Sequence, residues 1–306
     1  MENNVITKLE DLNLVDRFLF DEVMEDTESY EALVGILLEK EVHLLSRPET
    51  EKELRVSPQL RQVRLDVVSM DWYKEIFYTE MQKTDTGNLR KRSRLYQAQL
   101  DVSLLEPGTA NFNLLNDSCF ILIAPFDIFG KGLFRYTFEG TCRECPELKL
   151  NDGAVRVFIN TKGNNSEEFS QEFLDLMAYI TASTDRIAEA SDSMRLKVIH
   201  KNVKKIKASE KMGVKFMQKW EELVYAREDG RAEGKAEGKA EGIVEGEALK
   251  LIRQVCKKLI RGEVADTIAD ELEEEKAGVE QICRIAEKYA PEYDCGKIYQ
   301  ELKMEN

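Results

Sequence analysis

The chain is 306 residues long, which at roughly 100–200 residues per domain sets an expectation of about two units. Lys and Arg total 44 against 58 Asp and Glu, a net charge of −14; this excludes a uniformly basic nucleic-acid coat and a polycationic membrane binder. Six cysteines are too few for a disulfide scaffold. The acidic start, with Glu2, Glu10 and Asp11, lacks the apolar stretch of a secretory leader. The apolar run CFILIAPF at 119–126 is far short of the ~20 residues that span a bilayer. A soluble, cytoplasmic protein with no membrane partner is expected.

In chain order, residues up to about 40 read as helix. Leu14, Phe18, Phe20 and Met24, then Tyr30, Leu33, Val34, Leu37 and Leu38, recur at helical spacing around a capping break at Asp26-Thr27-Glu28. From residue 60 the period becomes two: RQVRLDVVSM, a turn at DWYK and EIFYTEMQ predict a β-hairpin. A helix follows from Leu89 to about Leu105, ended by Pro107-Gly108, and SCFILIAPF, LFRYTF and AVRVFIN read as three further strands. These elements make residues 1–165 a mixed α/β core, with 166–229 as a helical extension. Residues 230–246 form a low-complexity linker with Gly230, Gly234, Gly238, Gly242 and Gly246 spaced by four. Each such glycine costs a helix about 1 kcal/mol relative to Ala. The repeat therefore reads either as a fraying spacer or, through its like-charged Lys235/Lys239 and Glu233/Glu237 stripes, as a surface for self-association. A helical end-piece, 247–306, closes the chain.

The charge is placed unevenly along these segments. Residues 1–50 hold 4 bases and 13 acids, 83–94 hold 5 bases and 1 acid, 195–219 hold 9 bases and 1 acid, and 251–306 hold 9 bases and 13 acids. A lysine-rich helix is commonly no more than a solvated face, but two basic zones flanking an acidic site fit a polyanionic ligand. The acidic first fifty residues would repel such a ligand and are expected to face away from it.

The hairpin carries the chemistry. Asp66 lies on its first strand, Glu80 and Gln82 on its second, and strand alternation puts 80 and 82 on one face. With the turn centred near Tyr73, Asp66 and Glu80 each lie seven residues from it and become cross-strand partners with Cβ atoms about 4.5–5.5 Å apart. Two carboxylates so placed destabilise a sheet unless something sits between them. A divalent cation does this, and Mg2+ favours one or two carboxylates completed by water and phosphate oxygens. A register slipped by one residue would instead send one acid to solvent. On the following helix Arg92 and Tyr96 are four apart and share a face, with Arg94 and Gln97 adjacent; surface charge over a buried Tyr is the other reading.

The run VRLDVVSMDWYKEIFYTEMQ, followed by LRKRSRLYQAQLD, resembles the PD-(D/E)XK nuclease superfamily. Within it the chain is similar to the Rpn-type recombination-promoting nucleases, a family that carries a transposase label. VDRFLFDEVM resembles that family's first helix, FILIAPFDIFGKGLFRYTF its later strands, LNDGAVRVFINTKG its closing segment and AEGKAEGKAEG its tail, so the likeness spans roughly residues 12–165 in order. The resemblance implies a restriction-endonuclease-like core, a mixed sheet flanked by helices, followed by an all-helical tail. It implies a DNA endonuclease that requires Mg2+ or another divalent cation and is associated with recombination or mobile DNA. Asp66 and Glu80 would be the metal ligands. Gln82 stands at the superfamily's Lys position, and since an amide does not titrate near neutrality, it would orient the attacking water or a phosphate oxygen. Leu65 replaces the Pro of the motif's name. Asp16 matches an acidic position in the first helix and would hydrogen-bond metal-bound water, or simply favour the helix dipole. Arg92, Arg94, Tyr96 and Gln97 would face the scissile phosphate, Arg through its bidentate fork. DNA is the expected partner, with a homo-oligomer through the repeat tail as a further one. The alternative is a catalytically inactive DNA-binding or assembly protein on the same fold.

Other signals lead elsewhere or nowhere. Cys142-x-x-Cys145 has no second Cys pair and no His pair nearby, and His43 and His200 are the chain's two histidines; neither a zinc site nor a histidine-based nucleophile is expected. No GxxxxGK[ST] run is present for a phosphate loop.

Overall fold

The computed structural model describes residues 8–54, 63–105 and 108–305. It divides into two units, Met1–Gln218 and Lys219–Asn306. The first opens with α1 (Arg17–Met24) and α2 (Thr27–Leu38), separated where the Asp26 carboxylate accepts the Ser29 backbone N–H at 3.0 Å. This is the capping break the sequence announces.

Six strands follow: β1 (Glu49–Leu54), β2 (Val63–Met70), β3 (Ile76–Met81), β4 (Ser118–Ala124), β5 (Arg135–Phe138) and β6 (Ala154–Asn160), with α3 (Leu89–Leu104) between β3 and β4. They form one mixed sheet in the order β1-β2-β3-β4-β6-β5, in which β3, β4 and β6 run parallel and the remaining pairs are antiparallel. β4, SCFILIA, is buried along its whole length, as a parallel strand covered on both faces must be. On one face Val67, Phe77, Ile121 and Ile159 pack with Leu19 and Leu33 of α1 and α2. Phe173 of α4 (Gln171–Thr181) and Ile199 of α6 (Met194–Lys207) join the same core. On the other face Leu65, Val68, Tyr78, Phe120, Leu122 and Phe158 pack with Leu89 and Leu100 of α3. The short α5 (Asp185–Ala190) is tied in through His200, whose Nδ1 lies 2.8 Å from the Tyr179 hydroxyl and whose Nε2 lies 3.3 Å from Asp185.

The second unit is helical: the end of α7 (Glu210–Ile260), then α8 (Ala265–Leu272), α9 (Lys276–Ala286) and α10 (Cys295–Glu305). Ile252, Val255, Ile268, Val279, Ile285 and Ile298 form its core.

Four expectations are corrected. β1, ETEKEL, has no sequence signal because its residues are charged; as an outer strand it needs a partner on one side only. The core does not stop at 165, because α4 and α6 bury Phe173, Leu176, Leu196 and Ile199 in the same cluster as the sheet. The repeat 230–246 is not a linker between helices but lies inside α7, where Ala, Glu and Lys supply the propensity that the glycines lower and helix propagates cooperatively from both flanks. Finally, the acidic first fifty residues do not simply face away, since the buried Asp21 shares Arg17 with Asp66. Residues 61–62 of the anticipated first strand and Pro107 of the anticipated helix break lie outside the described residues.

Candidate active site

The β2–β3 turn is built by Asp71, whose Oδ1 accepts the backbone N–H groups of Tyr73 and Glu75 at 2.9 Å each. It sets the register Met70↔Ile76, Ser69↔Phe77, Val68↔Tyr78 and Val67↔Thr79, centred on Tyr73. Continuing it by one residue puts Asp66 opposite Glu80. At that point the backbone ladder gives way to side chains. The Asp66 N–H donates to Glu80 Oε1 at 3.1 Å, and the Met81 N–H donates to Asp66 Oδ2 at 3.1 Å.

The β1–β2 register likewise runs Thr50↔Val67 and then Lys52↔Leu65, passing over Glu51 and Asp66, and Glu51 takes the left-handed value φ 51. Leu65 and Val68 belong to the α3-side core but Val67 to the opposite one. The alternation of β2 therefore breaks at Asp66, although its pairing with β1 stays one-for-one on either side, and the two acids take hydrogen bonds that a regular ladder would supply.

Both carboxylates are buried, Asp66 at 1% and Glu80 at 3% exposure. Burial pushes both above the usual carboxylate range; for Glu80 the neighbouring Asp66 charge adds to it, while Arg17 and Arg92 pull the other way. Arg17, the first residue of α1, is ion-paired through Nη2 to Asp66 Oδ1, and its Nε lies 3.5 Å from Asp21 Oδ2. Burial opposes the Arg17 charge, but Asp66, Asp21, Glu80 and Glu51 outweigh it and raise its pKa. On the α3 side, Arg92 Nη2 stands 3.8 Å from Glu80 Oε2 and donates to Gln82 Oε1 at 2.5 Å, with its guanidinium 5.6 Å from the Tyr96 ring centroid.

Asp66, Glu80, Gln82, Arg92 and Tyr96 are thus brought together. The structure does not bring the other three anticipated residues into this group. Asp16 is the residue before α1 rather than within it; its Oδ2 accepts the Asn13 N–H and its Oδ1 pairs with Lys83 at 2.5 Å. Arg94 points to solvent. Gln97 is buried, accepting from the Tyr78 hydroxyl at 3.2 Å and donating to Ser118 Oγ at 2.5 Å. A helix turns 100° per residue, so Tyr96 and Gln97 cannot share a face.

Arg17, Asp21 and Glu51 escape a sequence reading. The available signal is Arg17/Asp21, an i,i+4 ion pair inside RFLFDEVM, a helix whose other side chains are mostly apolar.

Among the described residues no group of three or more His, Cys, Asp or Glu side chains is arranged to hold a metal ion. The two-acid set of Asp66 and Glu80 still fits Mg2+, an ion that takes hard oxygen ligands and keeps several waters. Glu80 Oε2 is beyond hydrogen-bond reach of Arg92. A depression of about 600 Å³ lined by Glu22, Glu25, Asp26, Arg47, Asn202 and Lys205 lies apart from this cluster. No helix among the described residues is long and apolar enough to cross a membrane. No family model, curated protein or solved structure matches the chain.

Proposed function

We propose that the protein is a divalent-metal-dependent DNA endonuclease with a PD-(D/E)XK-type core, acting in the cytoplasm in recombination or on mobile DNA. One observation carries the reading: two buried acids meet across a hairpin, with Gln82 and Arg92 beside them on the edge that adjoins α3. Asp66 and Glu80 would hold the cation. Such an ion, when bound, polarises a phosphoryl oxygen and acidifies the attacking water.

The chain's own groups do the rest. Gln82 Nε2 donates to the Thr84 carbonyl at 2.6 Å while its Oε1 receives Arg92, so Gln82 positions Arg92 rather than moving a proton. Arg92, a quarter exposed, presents a planar fork suited to a phosphate. Arg94, pointing outward, suits a flanking backbone phosphate. Gln97 supports β3 and β4 from within.

A second reading is favoured by the arginines themselves. Arg17 and Arg92 already offset the two acids, and a protein that keeps them there permanently would bind or organise DNA without cutting it. Incubation of supercoiled plasmid with Mg2+ and the wild-type protein or Asp66→Ala separates the two. Nicking by wild type that is lost in the variant supports the endonuclease. Retardation of DNA without any cleavage supports the second reading. Equal nicking by both proteins would sink the assignment of the site.

A further inference from the structure

The two ends of the acid pair are not equivalent. At the Glu80 end, Arg92 is engaged with Gln82 and stays 3.8 Å from the carboxylate. At the Asp66 end, the Arg17 guanidinium sits directly on Oδ1. That oxygen lies on the carboxylate a divalent ion would need; Oδ2 already accepts the Met81 N–H, so an approaching cation meets the positive guanidinium at the other oxygen.

The three partners also differ in freedom. The side chains of Asp66 and Asp21 are 1% and 4% exposed, while that of Arg17 is 41% exposed. The acids are enclosed by packing, and the arginine is the partner that reaches solvent. Asp21 lies one turn further along the same helix, 3.5 Å from Arg17 Nε, so a second carboxylate waits within reach of the first. Four acids, Asp21, Glu51, Asp66 and Glu80, act on Arg17, and three arginines, Arg17, Arg64 and Arg92, act on Asp66.

We propose that Arg17 is a gating residue: without a divalent cation its guanidinium occupies the Asp66 end of the site, and an incoming cation moves it wholly onto Asp21. This rests on reading Asp66 and Glu80 as a metal pair. Arg17 then acts as a built-in competitor. The apparent affinity for the cation is lowered by the fraction of molecules in which Asp66 is released, so the site loads only where divalent ions are abundant or where a phosphate backbone draws the arginine away. Asp21 is the seat that makes the exchange possible, because it already pairs with Arg17 Nε and keeps the guanidinium beside a buried carboxylate when Asp66 is released.

The test is direct cation binding, independent of cleavage. Free Mn2+ is followed by electron paramagnetic resonance as it is titrated into wild type, Arg17→Gln, Asp21→Asn, the double variant and Asp66→Asn, with circular dichroism to establish folding. Arg17→Gln is expected to tighten Mn2+ binding about tenfold or more. Asp21→Asn is expected to weaken it in the wild-type background but to leave it unchanged in the Arg17→Gln background. A purely electrostatic role for Asp21 would weaken binding in both backgrounds, and that result overturns the gate. So does unchanged or weaker binding in Arg17→Gln while Asp66→Asn abolishes it, an outcome that leaves the metal site intact. If neither wild type nor Arg17→Gln binds Mn2+, the metal reading falls and the gate falls with it. Should Arg17→Gln fail to fold, Arg17→Lys, which keeps the charge but lacks the planar fork that engages two carboxylates side by side, gives a smaller change of the same sign; no change there overturns the gate.

Discussion

The two units bury different things. Every buried polar or charged side chain among the described residues, from Asp21 and Asp66 to Ser183 and Ser191, belongs to Met1–Gln218, whereas the buried side chains of Lys219–Asn306 are aliphatic or thiol. Buried polarity costs stability unless it is paired, and a chain retains it where a fold must hold charge in a dry place. The first unit folds around the buried acids Asp21, Asp66 and Glu80, with Arg17 and Arg92 against them.

The strongest way to break this comparison is to remove the charge and ask what is lost. Asp66→Asn is expected to reduce plasmid cleavage by about a thousandfold or more, on the order of 4 kcal/mol, with the protein still folded. A comparable loss of stability instead would mean that Asp66 is structural.

The mirror experiment strikes the apolar unit. Ile285→Ala, at a site with 0% exposure, should cost about 2–5 kcal/mol of that unit's stability in urea and leave cleavage unchanged.

Smaller is the pH effect. Because burial holds Glu80 above its usual range, the folded protein binds a proton that the unfolded chain releases. Stability in EDTA should therefore fall, by on the order of 1–2 kcal/mol, as pH rises from about 5 to about 8. Glu80→Gln should flatten that slope; an unaltered slope would locate the titrating group elsewhere.

The least disruptive change is in the repeat. A Cβ built on Gly234, Gly238 or Gly242 meets no atom within 4 Å, so each Gly→Ala should add about 1 kcal/mol of helix stability. If the apparent mass on gel filtration changes as well, the glycines serve association between copies.

What the sequence makes legible is local. The Asp71–Glu75 turn and the alternation on either side of it fix the meeting of Asp66 and Glu80, and Asp26 marks the break between α1 and α2. What stays hidden is tertiary. Nothing in RFLFD says that Arg17 will reach a strand some fifty residues later, because that contact exists only once α1 packs on the sheet. Gln97 misleads for the opposite reason: it sits beside Tyr96 in sequence, but the helix turns it toward Tyr78 and Ser118. β1 hides because a strand recognised by its apolar face has little of one in ETEKEL.

That same strand has a consequence for how copies of the protein meet. One margin of the sheet is β1, with Glu49, Glu51, Lys52 and Glu53 along it, and the other is β5, four residues long. Charge at one margin and brevity at the other deny an incoming strand a template. The sheet is thereby poorly suited to grow from molecule to molecule through its edges.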